Sequence, residues 1–139
     1  MANLSFAAQV VDWVRKVEGA TEAVFKESAQ ELVSQMQALV PVDTGFLRAS
    51  LVASTSAMPA LTLNNPGGTF NADVGQIELV IAGSELGDTI YLGYTAKYGV
   101  YVHYGANGRS PRPWVDMVAQ RWGTIVNEKA AELKSRLGL

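Results

Sequence analysis

The chain has 139 residues and no cysteine, so it holds no disulfide scaffold and no cysteine-based zinc site. It has a single histidine, His103, which excludes a histidine-rich metal centre. No run approaches the roughly 18 consecutive apolar residues of a membrane-spanning helix, and no membrane partner is expected. The opening stretch lacks basic residues ahead of its apolar ones and does not read as a secretory signal. Charge is also scarce. Only 17% of residues are Asp, Glu, Lys or Arg, whereas an ordinary soluble domain carries about 25%. With 48% hydrophobic residues, the chain has either an unusually large core or a surface that something else covers.

The few charges are segregated. Residues 1–40 hold five acids and three bases, residues 41–104 five acids and two bases, and residues 105–139 three acids and six bases. A basic C-terminal third suits a helix dipole, and it also suits contact between acidic and basic faces of neighbouring copies. The sequence pI is near 5.3, and the bases are not concentrated in one footprint, which disfavours duplex-DNA binding.

Hydrophobic periodicity predicts one domain over 1–139, of α+β class. Residues 1–40 form a long helix, or two in series with Gly19 as the break, ended by Pro41. A continuous helix of that length would be on the order of 50 Å, longer than a compact domain of this size, so part of it must project, bend or pack on a neighbour. Residues 41–105 are expected to form an antiparallel sheet of about four strands. These include Leu47–Ser54 and Gly75–Gly83, the latter carrying Glu78 toward an edge, and a strand over Tyr98–Tyr104. The weakly charged stretch 57–74 is a loop. A C-terminal helix over 113–137, opened by Pro113 and followed by Gly138, is expected to pack on the sheet.

No cofactor or metal ligand set is visible. Asp43-Thr44-Gly45 is the tripeptide of aspartic proteases, but that chemistry needs a strand leading into the aspartate, an all-β body and a second carboxylate. The alternative is a structural turn in which Asp43 caps an amide or pairs with Arg48, and Gly45 takes a positive φ. The protease remains a remote alternative on Asp43. His103 stands apart from any nucleophile or second ligand, and reads as a structural histidine. All five tyrosines fall between Tyr91 and Tyr104. That cluster suits core packing, a protein interface or, with only Lys97 interleaved, base stacking. Arg109 and Arg112 sit in a loop, free to pair with Asp43 or with acids of a neighbour.

Two segments together resemble a known family. PVDTGFLRASL (41–51) is similar to the motif that follows the long first helix in small tail-completion and neck proteins of tailed bacteriophages. YGVYVHYGANGRSPRPW (98–114) resembles the second motif of those proteins, a tyrosine-rich strand, a loop and a helix start. Gly99 stands where Ala is usual, His103 where Glu is usual at a rim position, and Trp114 where Phe is usual.

The resemblance implies a non-enzymatic virion component that forms a ring of six or twelve copies at the neck or tail top. It would join head or connector to tail, contact neighbouring neck, connector or tail proteins, and assemble in the host cytoplasm. The alternative role is a DNA-contacting module in the tail channel or packaging path that uses Arg109, Arg112, Arg121, Lys129 and Lys134; for the ring itself, DNA in the channel would be a passive contact. Pro41, Asp43, Thr44, Gly45, Leu47, Arg48, Gly105 and Pro113 would then define the fold. Tyr98, Tyr101, His103, Tyr104, Arg109, Arg112 and Trp114 would be candidates for the subunit interface.

Overall fold

The computed structural model of the chain describes residues 5–138; the expected helical start before Ser5 lies outside these. One helix, α1, runs unbroken over Phe6–Leu39, 34 residues, with Gly19 inside it. The Ser5 hydroxyl caps its start by accepting from the Ala8 amide at 3.2 Å. Its end is set by Pro41, which cannot supply the next helical N–H, and the Val40 amide makes the last bond to Met36.

The C-terminal half of α1 carries the core. Ala29, Val33, Met36 and Val40 recur at four-three-four spacing and are all buried. Against them pack α3 (Gly75–Gly83), α5 (Trp114–Ala119) and α6 (Trp122–Leu137). Ile77, Ile81, Val118 and Ile125 are almost wholly buried, each contributing about 1.5–3 kcal/mol relative to exposure. Arg136 of α6 reaches Glu27 of α1 at 3.0 and 3.2 Å, and Arg121 reaches Gln35 at 3.2 Å.

Several sequence expectations are corrected. Among the described residues there are two strands rather than about four: β1 (Leu51–Ser54) and β2 (Tyr91–Tyr94), antiparallel, with Leu51 opposite Tyr94 and Ser54 opposite Tyr91. The expected strand from Leu47 starts late because Phe46–Ala49 winds into one helical turn, α2, which the Ser50 hydroxyl closes onto the Leu47 carbonyl at 2.6 Å. Gly75–Gly83 is helix α3. Ile77 and Ile81 face inward in a strand or a helix alike, but Leu79, inward in a strand, here points to solvent. Glu78 therefore lies on an exposed helix face.

The free edge of β1 meets a side chain instead of a third strand. Gln76 of α3 donates to the Ala53 carbonyl at 2.8 Å and accepts from its amide at 3.2 Å, as a neighbouring strand would. Gly99–Tyr104 is helix α4, with Gly99 and His103, four apart, turned inward. The C-terminal helix is two helices, broken at Gln120–Arg121, and α6 lies along α1 rather than on the sheet. Of these two, α5 is the one that meets a strand, Trp114 packing edge-on to Tyr94 at 5.2 Å.

The 57–74 loop is pinned at two places. Thr62 and Leu63 amides bond the Thr95 carbonyl, and the Phe70 amide bonds the Thr44 carbonyl at 2.8 Å.

Candidate assembly surface

The turn after α1 is shaped by two constraints on Gly45. Its φ is +87°, which favours glycine, and a Cβ there would collide with the Phe70 carbonyl. The turn thus brings the long loop onto α2, where Phe46 packs edge-on to Phe70 at 5.2 Å and beside Tyr98 at 6.2 Å. Asp43 is exposed and forms no ion pair with Arg48; among the described residues the side-chain contact at this turn is Thr44 Oγ1 accepting from the Phe46 amide at 3.4 Å. A 34-residue helix, not a strand, leads into Asp43, contrary to the needs of an aspartic protease.

Helix α4 packs directly on α2. A Cβ on Gly99 would come within 3.0 Å of Leu47 Cδ1, so glycine lets the two turns close. At its other end Gly105 has φ +83°, and a Cβ there would meet the Arg109 carbonyl at 2.9 Å and Pro111 Cδ at 3.1 Å. That fold-back brings the 106–112 loop against α4, with the Arg112 amide bonded to the Val102 carbonyl at 3.0 Å.

The two sequence motifs thereby meet across one open cleft of about 920 Å³. Pro41, Asp43, Thr44 and Leu47 form one wall; Tyr98, Tyr101, Arg109 and Arg112 form the other, with Asn65 of the long loop at the rim. Burial raises the Tyr98 phenol above its ordinary range; the Leu47 backbone opposes this and the Asp43 carboxylate adds to it. Arg109 and Arg112 are exposed and make no ion pair among the described residues. Tyr101 and Tyr104 stand 64% and 69% exposed on the outer side of α4.

Other residues read from the sequence lie elsewhere. His103 and Trp114 are buried together, ring centroids 5.4 Å apart, and belong to the core rather than to a surface. Position 103 is therefore not at a rim. His103 Nε2 lies 3.8 Å from Asp116 Oδ1, and neither ring nitrogen has a hydrogen bond. Arg48 lies half-buried near Tyr94, and Pro113 directly precedes α5. The bases of the last third are dispersed: Arg121 and Arg136 tie α6 to α1, and Lys129 pairs with Glu132 at 3.6 Å.

One organising residue escaped the sequence reading. Gln37 donates to the Arg48 carbonyl at 2.9 Å and accepts from the Tyr94 hydroxyl at 2.7 Å, joining α1, α2 and β2. Its signal was position: four residues after Val33 and three before Val40, on the buried face of α1. Burial holds the Tyr94 phenol well above its ordinary range, with the Trp114 indole and the Arg48 guanidinium pulling the other way.

Residues 5–105 match the family described as "Bacteriophage HK97-gp10, putative tail-component". That span covers most of the chain and includes α1, both strands and the turn and tyrosine helix that build the cleft. The chain therefore belongs to this family of tailed-phage tail components, and its place is in the virion. The 106–112 loop and helices α5 and α6 lie beyond the matched residues. No curated protein and no solved structure gives a significant match.

Proposed function

We propose that the chain is a structural virion protein that forms a ring at the neck or top of the tail and joins head or connector to tail. The observation that carries this reading is the cleft. Both family-like motifs converge there, yet what they present outward is two exposed tyrosines and two exposed arginines with no ion pair among the described residues. Tyrosine and arginine are the residues enriched where proteins meet. A ring subunit needs two different surfaces, because each copy contacts its two neighbours heterologously.

A complement to the cleft exists on the same chain. The loop between α3 and β2 exposes Leu86 between Glu85 and Asp88. It follows α3, whose Ala82 carbonyl bonds Lys26, and so sits about 20 Å along α1 from the cleft end at Val40. An acidic loop with an apolar tip suits a cleft of mixed polar and apolar lining that carries Arg109 and Arg112 in one wall.

The test is a reconstruction of intact particles that locates this chain and counts its copies. A closed ring of six or twelve at the neck or tail top is the expected result. Absence of the chain from both, or its presence as isolated copies, would refute the reading.

A further inference from the structure

The loop between α3 and β2 is a prebuilt turn. The Asp88 amide donates to the Glu85 carbonyl at 3.0 Å, and the Asp88 carboxylate accepts from the Glu85 amide at 2.7 Å. Gly87 supplies the positive φ, +98°, at the third position of the turn. Just before it, Ser84 is buried, and its hydroxyl closes on the Ile81 carbonyl at 2.6 Å, which ties the turn to the end of α3. Leu86 stands at the tip, half exposed. Glu85 and Asp88 flank it, both exposed and with no ion pair among the described residues. A tip already ordered in this way loses little conformational freedom on binding.

The cleft offers the opposite charge. Arg109 and Arg112 lie in one wall and Asp43 in the other, so the lining keeps a net positive charge, and that charge is on the arginine side. Leu47 and Val102 contribute apolar lining. The turn cannot reach its own cleft. The two lie about 20 Å apart along α1, and they adjoin opposite ends of the strand pair: Leu51 and Tyr94 at the end that leads to the cleft, Ser54 and Tyr91 at the end that leads to the turn. A second copy brings them together.

We propose that copies of the chain join head to tail, the Glu85–Asp88 turn of one seated in the cleft of the next. Leu86 enters against Leu47 and Val102, and the two carboxylates face the arginine wall. The inference rests on the ring reading above and adds to it the occupant of the cleft and the orientation of the subunit.

The orientation follows from closure. In a closed ring all equivalent points share one height, and each turn coincides with a neighbour's cleft, so turn and cleft share one height within a copy as well. A chain with α1 along the ring axis would instead climb about 20 Å per copy and build an open helix. The contact therefore sets α1 across the ring. It also sets the repeat, because neighbouring copies are offset by the distance from cleft to turn, at least about 20 Å. Contacts in a ring of six then lie on a circle at least about 20 Å in radius, and in a ring of twelve at least about 39 Å. A four-residue turn buries less than the roughly 1,000 Å² that holds two free proteins together. Closure gives each copy two such contacts, so the test uses assembled particles.

The absence of cysteine makes the contact directly readable. Leu86→Cys and Ala106→Cys, the second in the cleft lining and both outside the core, are placed in one chain. Particles assembled with it are oxidised and run on non-reducing gels. The expected result is a ladder that passes the dimer and ends at the closed ring, absent from either single variant. As a second measurement, Arg109→Glu combined with Arg112→Glu should lower incorporation into particles by about tenfold or more, with the denaturation midpoint of the isolated chain unchanged. Cross-linking that stops at the dimer would mean a two-fold contact and would overturn the proposal, as would full incorporation of the charge-reversed chain. A ring without a ladder would overturn it too, with another virion protein in the cleft, while leaving the ring reading intact. A ladder from an assembly that does not close would retain the contact and remove the ring reading. Particles without the chain would overturn both.

Discussion

The two halves of α1 have similar apolar spacing and opposite fates. From Ala29 to Val40, residues at four-three-four spacing are buried under α3, α5 and α6. From Phe6 to Trp13, the same kind of spacing carries larger side chains, a phenylalanine and a tryptophan, and these stand in solvent. Helix propensity and amphipathicity do not separate the halves. What separates them is how far the rest of the chain reaches, since α6 ends at Leu137. Residues 6–16 are thus an amphipathic stem whose apolar residues Phe6, Val10, Val11, Trp13 and Val14 stand exposed.

The contrast can be broken by mutation, and the largest effect should lie in the body. Trp114→Ala removes a buried aromatic that packs on Tyr94 and His103, and should cost about 3–5 kcal/mol in chemical denaturation of the isolated chain. Trp13→Ala, the same chemical change in the stem, should shift that stability by no more than about 0.5 kcal/mol. Comparable losses from the two would mean that the stem packs within its own chain. Next in size, Gly45→Ala forces a side chain into a left-handed backbone and against the Phe70 carbonyl. A loss of about 1–3 kcal/mol is expected, read as a lowered denaturation midpoint.

Gln76→Ala leaves the Ala53 amide and carbonyl without their partner at the sheet edge. It should cost about 1–3 kcal/mol if those groups stay buried and less if water replaces the amide. The smallest expected effect is that of Arg136→Ala. The Arg136–Glu27 pair is largely exposed, so its loss should cost about 0–1 kcal/mol and shrink with added salt.

Alkaline pH offers a separate probe of the body. The folded state holds the proton on Tyr94 where the unfolded chain, with a phenol near 10.0, releases it. Stability from this group is complete below that value and falls as pH rises through it. Tyr94→Phe should flatten the decline above about pH 10 in pH-resolved denaturation.

Much of this was legible in the residues. The long helix, the Pro41 stop, the Gly45 turn, the 57–74 loop and the Gly138 helix end follow from local chemistry, and the structure has them. The sheet was over-read for a specific reason. In Gly75–Gly83 and Tyr98–Tyr104, period-two patterns coincide with inward pairs four residues apart, Ile77 with Ile81 and Gly99 with His103, so strand and helix bury the same residues. Only the outward Leu79 and the exposed Tyr101 distinguish them, and those depend on what lies across the surface.

The cleft was half legible. Pro41, Asp43, Thr44, Leu47, Tyr98, Tyr101, Arg109 and Arg112 among its lining residues were singled out, but Asn65 and the fold-back at Gly105 that brings Arg109 and Arg112 to Tyr101 depend on long-range packing. Likewise His103 and Trp114 carry interface-like chemistry, and only the packing of α4 against α5 places them inside.

Amide hydrogen exchange along α1 tests the central claim most directly, because one helix contains both its covered and its bare half. In the isolated chain, amides of residues 6–16 should exchange quickly while those of residues 29–39 exchange slowly. In assemblies recovered from particles, the stem amides should slow toward the rates of the body. Stem amides that exchange equally fast in both states would contradict the account, because the apolar face of the stem would then remain uncovered in the virion.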